Sequence, residues 1–195
     1  MNGEYIKQNI DKGIHYLLLA ANQNNSKAQF DISFYYFEGK YIEKNINKGV
    51  KYMTLAANQN LAKAQFYLGI FYLLDEYSKD VKKAIHYLLL AANQNYPKAQ
   101  HELGCIYFEN KYIQRDINKA IIFLSLAAEN NLIHSQYLLG YIYSRIEYDK
   151  QDKNKAIHYL SLAANQNHCE AQFYLGTMIY TQSEKDICDI NKAIH

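Results

Sequence analysis

Two apolar phrases alternate along the chain, and both carry helical spacing. One ends in a Leu-Ala-Ala triplet whose last alanine is Ala21, Ala57, Ala92, Ala128 and Ala164, at intervals of 36, 35, 36 and 36 residues. The other opens with AQFDIS at Ala28, AQFYLG at Ala64, AQHELG at Ala99, SQYLLG at Ser135 and AQFYLG at Ala171. A fixed period of this length marks a stacked repeat, in which each copy buries its apolar face against its neighbours.

The first phrase reads as a helix that begins at an Asx residue. Asn9, Asn45, Asp80, Asp116, Asp152 and Asp189 each precede a lysine by three positions. Their side-chain oxygens suit the N-cap, where they accept a free amide of the first turn. That helix is expected to end near Asn24, Asn60, Asn95, Asn131 and Asn167, because asparagine tolerates the left-handed conformation that closes a helix. The second helix starts around Ser26, Ala62, Pro97, Ile133 and Cys169, and Pro97 fits a first helical position that needs no amide bond. Length differences between copies fall just before each Asx, which makes that segment a loop.

On the second helix Ala28, Ile32 and Tyr36 share a face, with Tyr35 beside them; Leu68/Tyr72, Leu103/Tyr107 and Leu139/Tyr143 repeat the pattern. Gln29, Gln65, Gln100, Gln136 and Gln172 fall on the same face, so each amide needs a partner on a helix or a loop carbonyl. Gly69, Gly104, Gly140 and Gly176 share one column of equivalent positions, and Gly13 and Gly49 share an alanine column. Both sets read as close helix approaches. Ser33 replaces the column glycine in the first copy and predicts looser packing there.

Composition narrows the class. One proline and eight glycines in 195 residues are too few for a turn-rich β fold, while 49% hydrophobic residues supply a sizeable core. Twenty-one basic residues against 19 acidic ones leave a net charge of +2, weak for a protein that neutralises phosphates. The start, MNGEYIKQNIDKG, lacks the apolar run of a signal peptide, and no stretch of ~18 apolar residues follows. Three cysteines give no disulfide framework. The expectation is a cytoplasmic helical protein with no nucleic-acid partner and no membrane insertion.

Ala64, Leu68, Gly69 and Tyr72, followed by Asp80, Lys83, Ala84, Tyr87, Ala91 and Ala92, resemble the two helices of the Sel-one-like repeat (SLR) family, relatives of the tetratricopeptide repeats. Five concordant copies extend the resemblance over nearly the whole chain. Tyr16, Tyr52, Tyr87, Phe123 and Tyr159 stand where the family has tryptophan. The resemblance implies an all-α, right-handed α–α superhelix, a solenoid of about five 36-residue helix-turn-helix units. A single array would cover residues 1–195, with copies starting near 9, 45, 80, 116, 152 and 189.

The implied function is a non-catalytic scaffold or adaptor that binds a protein or peptide. Two alternatives stay open. One is the recognition segment of a larger signalling protein whose protein-kinase domain lies outside this chain. The other is a hydrolase like the secreted SLR proteins with paired cysteines, a pairing this chain lacks. Both ends fall inside a unit: GEYIKQNIDKG matches the loop GKYIEKNINKG, and INKAIH opens a further first helix. The chain therefore reads as a fragment of a longer array whose uncapped ends would fray or self-associate.

Comparing copies within the chain separates constant columns from variable ones. The variable ones are Lys27/Lys63/Lys98/His134/Glu170, Asp31/Tyr67/Glu102/Leu138/Tyr174 and Phe34/Ile70/Cys105/Tyr141/Thr177, extended by Glu38, Leu74, Glu109 and Arg145. Positions i, i+4, i+7 and i+11 form one helical stripe, and stacked copies set such stripes side by side as a groove. The expected partner-binding residues are Lys63, Tyr67, Ile70, Leu74, Lys98, Glu102, Cys105, Glu109, His134, Leu138, Tyr141, Arg145, Tyr174 and Thr177.

Other chemistry is weakly signalled. His101 and Cys105 stand at i and i+4, a metal-ligand spacing, but His101 occupies a column of Phe30, Phe66, Tyr137 and Phe173 and reads as a packed ring. His15, His86 and His158 share a surface column, with His195 opening the next, and Cys105, Cys169 and Cys188 occupy unrelated ones. No nucleophile–base–acid set, metal site or cofactor site is expected. Lys12, Lys48, Lys83, Lys119, Lys155 and Lys192 oppose the helix dipole from the first turn, and each is expected to lie over a ring or meet a carboxylate.

Overall fold

The structure, a computed structural model, describes residues 2–74, 79–109, 111–145 and 151–194, with side chains described from residue 9 to residue 183 within those ranges. Among the described residues every regular element is an α-helix. The first helices are α1 (Asn2–Asn22), α3 (Ile46–Asn58), α5 (Val81–Ala92), α7 (Ile117–Glu129) and α9 (Lys153–Ala164). The second helices are α2 (Ser26–Glu38), α4 (Ala62–Leu74), α6 (Pro97–Glu109), α8 (Ile133–Ser144) and α10 (Cys169–Ile194). All five second helices start at the expected residue. The chain divides into two compact units, Met1–Ala99 and Gln100–His195. In the first, Ile32, Met53, Ala56 and Leu68 are sealed from solvent, and in the second Leu124, Leu139, Ile142 and Leu160 are.

One junction recurs where a second helix hands over to the next first helix. The Asx side chain accepts the amide of the lysine three residues on: Asn45 from Lys48 at 2.9 Å, and Asp80, Asp116 and Asp152 from Lys83, Lys119 and Lys155 at 3.0 Å each. This bond is the first cause that holds the three aspartates below the usual carboxylate range. The Asx amide itself donates back to a tyrosine carbonyl on the preceding helix, at Tyr36, Tyr72, Tyr107 and Tyr143, over 2.8–2.9 Å.

The same tyrosine rings stack on Tyr52, Tyr87, Phe123 and Tyr159, with planes within 4–9° of parallel. The lysines cover the other side. Lys48, Lys83, Lys119 and Lys155 place Nζ 5.1–5.4 Å from the tyrosine ring centres. The last three also lie 3.4–3.5 Å from the capping aspartates. A ring contact contributes about 0.5–1 kcal/mol at an exposed site, enough to offset a dipole cost of the same size. Both expected partners are thus present for Lys83, Lys119 and Lys155 and the ring alone for Lys48, whereas Lys12, on α1, has neither among the described residues.

Each first helix closes through an asparagine in the left-handed region: Asn24, Asn60, Asn95, Asn131 and Asn167 have φ of 55–65°. The glutamines of the second helices reach back to the end of the preceding first helix; Gln29, Gln65, Gln100 and Gln136 are buried as expected, whereas Gln172 is exposed. Gln29, Gln65, Gln136 and Gln172 donate Nε2 to the carbonyls of Ala21, Ala57, Ala128 and Ala164 at 3.0–3.4 Å.

The glycine column divides in two. A Cβ on Gly69, Gly104 or Gly140 would stand 2.5–2.8 Å from Cγ of Leu88, Leu124 or Leu160, so these glycines do mark close approach. Gly13, in the alanine column, and Gly176 have nothing within 4 Å, contrary to expectation: among the described residues no second helix packs on α1 at Gly13 and no further first helix packs on α10 at Gly176. Ser33 also departs from expectation. It is fully buried, and its hydroxyl donates to Phe30 O at 2.6 Å and to Met53 Sδ at 3.8 Å. Met53 replaces the leucine of the other copies, and the flexible thioether accommodates the extra atom, so packing there is not loose. Gly49 stands where other copies have alanine because the Phe37 ring would approach its Cβ to 2.5 Å.

Two expected caps are not caps. Helix α1 runs through Asn9, and α10 runs through Asp189. Among the described residues no second helix lies ahead of Asn9 to supply the hooking carbonyl. Ahead of Asp189 the tyrosine column holds Ile179, which offers neither a stack nor a cation seat. Cys188, Lys192 and His195 lie outside the described side chains.

Gly104→Ala is expected to lower unfolding free energy by about 1–3 kcal/mol through overpacking against Leu124. Gly176→Ala, with open space, should be neutral or stabilise by up to ~1 kcal/mol. Urea unfolding of the two variants measures the contrast, and equal effects would contradict the packing described.

Candidate functional site

The variable stripe is assembled separately within each unit. In the first, α2 and α4 present it side by side. Phe30 and Phe34 meet edge to face at 4.9 Å, and Phe34 and Tyr67 at 5.1 Å with planes 89° apart. Lys63 lies with Nζ 4.7 Å from the Phe30 ring centre. These side chains, with Asp31 and Glu38, line an open recess of about 460 Å³ floored by Leu17. Ile70 and Leu74 continue the stripe along α4, Leu74 with 65% of its surface exposed. Lys98 is exposed on the first turn of α6.

In the second unit the stripe is polar on α6 and aromatic on α8 and α10. Tyr141 and Tyr174 meet at 5.6 Å with planes 83° apart, and Tyr137 stands 6.1 Å from Tyr174. Arg145 donates from Nη2 to the Tyr141 hydroxyl at 2.9 Å and lies over its ring. Leu138 is half-buried beside them, while Thr177 is exposed and bonds its own helix at Tyr174 O. On α6, burial and the neighbouring Glu109 raise the Glu102 carboxyl above its usual range. Burial, Glu102 and Glu109 push the Cys105 thiol up to about 12, so it is a protonated, unreactive thiol.

Three histidines converge here, and one of them, His168, escaped the sequence reading. His101 does pack as a ring, with Nδ1 2.8 Å from Ser135 Oγ and Nε2 3.5 Å from Cys105 Sγ. Burial, reinforced by His134, lowers its pKa to about 4. His168 caps α10 by accepting the Ala171 amide on Nδ1 at 3.3 Å, and its ring stacks on Tyr137 at 4.6 Å. That bond assigns the hydrogen to Nε2, which donates to His134 Nδ1 at 3.2 Å. The missed signal was positional: His168 shares a column with Tyr96, which packs on Phe66 at 5.3 Å as His168 packs on Tyr137. Among the described residues no three His, Cys, Asp or Glu side chains are placed to hold a metal ion.

A second polar series was also missed. Gln59, Gln94 and Gln166 donate to the Oε1 of Gln29, Gln65 and Gln136 at 2.6–2.8 Å, tying each first helix to the second helix before it. The signal was the glutamine repeated before each left-handed asparagine. Asn130 in that column is one methylene shorter and donates to Leu126 O instead.

Six successive stretches, residues 1–25, 26–61, 62–96, 97–132, 133–168 and 169–195, match the Sel1 repeat family. The chain is a Sel1 repeat protein. Its fold class is therefore the all-α, α–α superhelical repeat. Solved structures agree. A protective antigen present in uropathogenic Escherichia coli strains, displaying an SLR fold, is 27% identical with a TM-score of 0.80, covering 85% of this chain and 36% of its own. A Sel1 repeat protein from Oxalobacter formigenes is 27% identical with a TM-score of 0.71, covering 86% of this chain and 49% of its own. A Sel1 repeat protein from Klebsiella pneumoniae, at 19% identity and a TM-score of 0.55, shares the fold. The chain thus spans about a third and a half of the first two. No curated protein matches it. Sel1 repeats generally form non-catalytic scaffolds that bind proteins. Among the described residues no helix is long and apolar enough to cross a membrane.

The folded pKa of His101 lies below its ordinary value of 6.5, so between pH 6.5 and about 4 the unfolded chain binds the proton more readily. Stability is expected to fall as pH drops through that window, by about 1–3 kcal/mol at ~1.4 kcal/mol per pKa unit. His101→Phe, the ring of the sibling copies, should flatten part of that slope. Identical slopes in urea melts from pH 4 to 7 would refute the assignment.

Proposed function

We propose that this Sel1 repeat protein is a non-catalytic adaptor that binds a peptide or protein partner along the variable face of its second helices. The observation that carries the reading is how that face is packed. Its aromatic side chains are half-buried and locked edge to face, yet they border an open recess rather than a filled core. Pre-ordered rings lose little conformational entropy on binding and supply large contact area, the profile of interaction hot spots. Residues that vary only by drift on a solvated surface have no need of such contacts. A cytoplasmic setting belongs to the same reading, and the free thiols of Cys105 and Cys169 suit a reducing compartment.

Replacing Tyr67, Tyr141 and Tyr174 together with serine is expected to leave helical circular dichroism nearly unchanged and to reduce partner capture at least tenfold in pulldown with the immobilised chain. A partner retained equally by parent and variant would overturn the proposed face.

A further inference from the structure

We infer that the variable face selects basic segments, with the recess of the first unit seating a lysine or arginine side chain. This rests on the peptide-binding reading above and adds the chemistry of the ligand.

The walls are Phe30, Phe34 and Tyr67, from two successive second helices, crossing at 48–89°. Crossed rings turn faces and edges toward one space, and an aromatic face is its negative region. The protein already demonstrates the affinity, since Lys63 places its ammonium 4.7 Å from the Phe30 ring centre. Rings alone would accept an aliphatic side chain equally well. The carboxylates decide between them. Asp31 and Glu38 lie seven residues apart on α2, two turns along one helical face, and both line the recess. Neither forms an ion pair among the described residues, and Lys40, which acts electrostatically on Glu38, does not line the recess; the lining therefore carries two negative charges against the single positive charge of Lys63. An acidic ligand would meet repulsion. An apolar one would strip water from the carboxylates and give nothing back. A guanidinium or ammonium satisfies rings and carboxylates together.

The same carboxylate pair recurs independently in the second unit. Glu102 and Glu109 occupy the columns of Asp31 and Glu38 on α6, again seven residues apart. Glu102 is half-buried, and its carboxyl is raised by burial and by Glu109. A carboxylate in that condition gains from an incoming cation, which relieves both effects.

The test uses the full chain and pools of random decapeptides in which one position is fixed as Lys, Arg, Glu, Asp or Leu. Parent protein should bind the Lys and Arg pools about five- to tenfold more tightly than the Glu and Asp pools, the range expected of a partly desolvated cation–ring contact. The quadruple variant D31N/E38Q/E102Q/E109Q should keep its circular dichroism, lose that preference and still bind the Leu pool. Preference for acidic pools, no preference, or an unchanged basic preference in the variant would each overturn the inference while leaving peptide binding intact. Failure of the parent to bind any pool would instead remove the peptide-binding reading and this inference with it.

Discussion

A single tyrosine near the end of α2, α4, α6 and α8 is held in three ways, and the turn into the next repeat follows from it. The carbonyl of Tyr36, Tyr72, Tyr107 or Tyr143 accepts the amide of the following Asx, its ring stacks on the aromatic residue of the next first helix, and a lysine covers the stack. The hydrogen bond fixes where the chain turns, and the stack fixes the angle at which the next helix returns. Loop length is left free, which is why copies spaced 35 and 36 residues coexist. Where the column holds Ile179, the backbone runs on as helix and that side chain is 54% exposed, against 9% for Tyr143.

Much of this was legible in the sequence because it is periodic. The capping Asx residues, the left-handed asparagines and the buried glutamines each repeat at fixed offsets, and each has one local role. What the periodicity could not convey is which deviations compensate one another. Ser33 alone looks like a defect, and Met53 alone looks like an ordinary apolar substitution. Only contact shows that a hydroxyl larger than glycine meets a side chain more adaptable than leucine. Gly49 and Phe37 form a second such pair, and His101 with Ser135 a third, replacing a ring and an alanine by two polar groups that find each other. The caps at Asn9 and Asp189 were misread for a related reason: the motif was present, but the tyrosine that makes it a turn was not.

The candidate site was legible as a stripe but not as chemistry. Variation among copies marked the columns, and helical spacing placed them on one face. Burial then separated them into half-buried tyrosines, an inert Cys105 and the carboxylates of α2 and α6, which form no ion pair among the described residues. His134 was marked by this logic but His168 was not, since it comes from a different column and meets His134 only when α8 and the start of α10 pack together.

The contacts that hold a copy together and the contacts that shape the face respect different boundaries. Each glycine–leucine approach, each tyrosine stack and each Gln–Gln bond lies inside one matched stretch, from a second helix to the first helix after it. The ring contacts of the variable face, Phe34 with Tyr67 at the recess and Tyr141 with Tyr174 in the second unit, cross from one stretch to the next. A gene that gains, loses or shuffles such a stretch therefore carries these pairings along intact and needs at the junction only the glutamine-to-alanine-carbonyl bond, which the copies share, while the junction juxtaposes different rings and charges. Recombination in this protein edits recognition without renegotiating the fold.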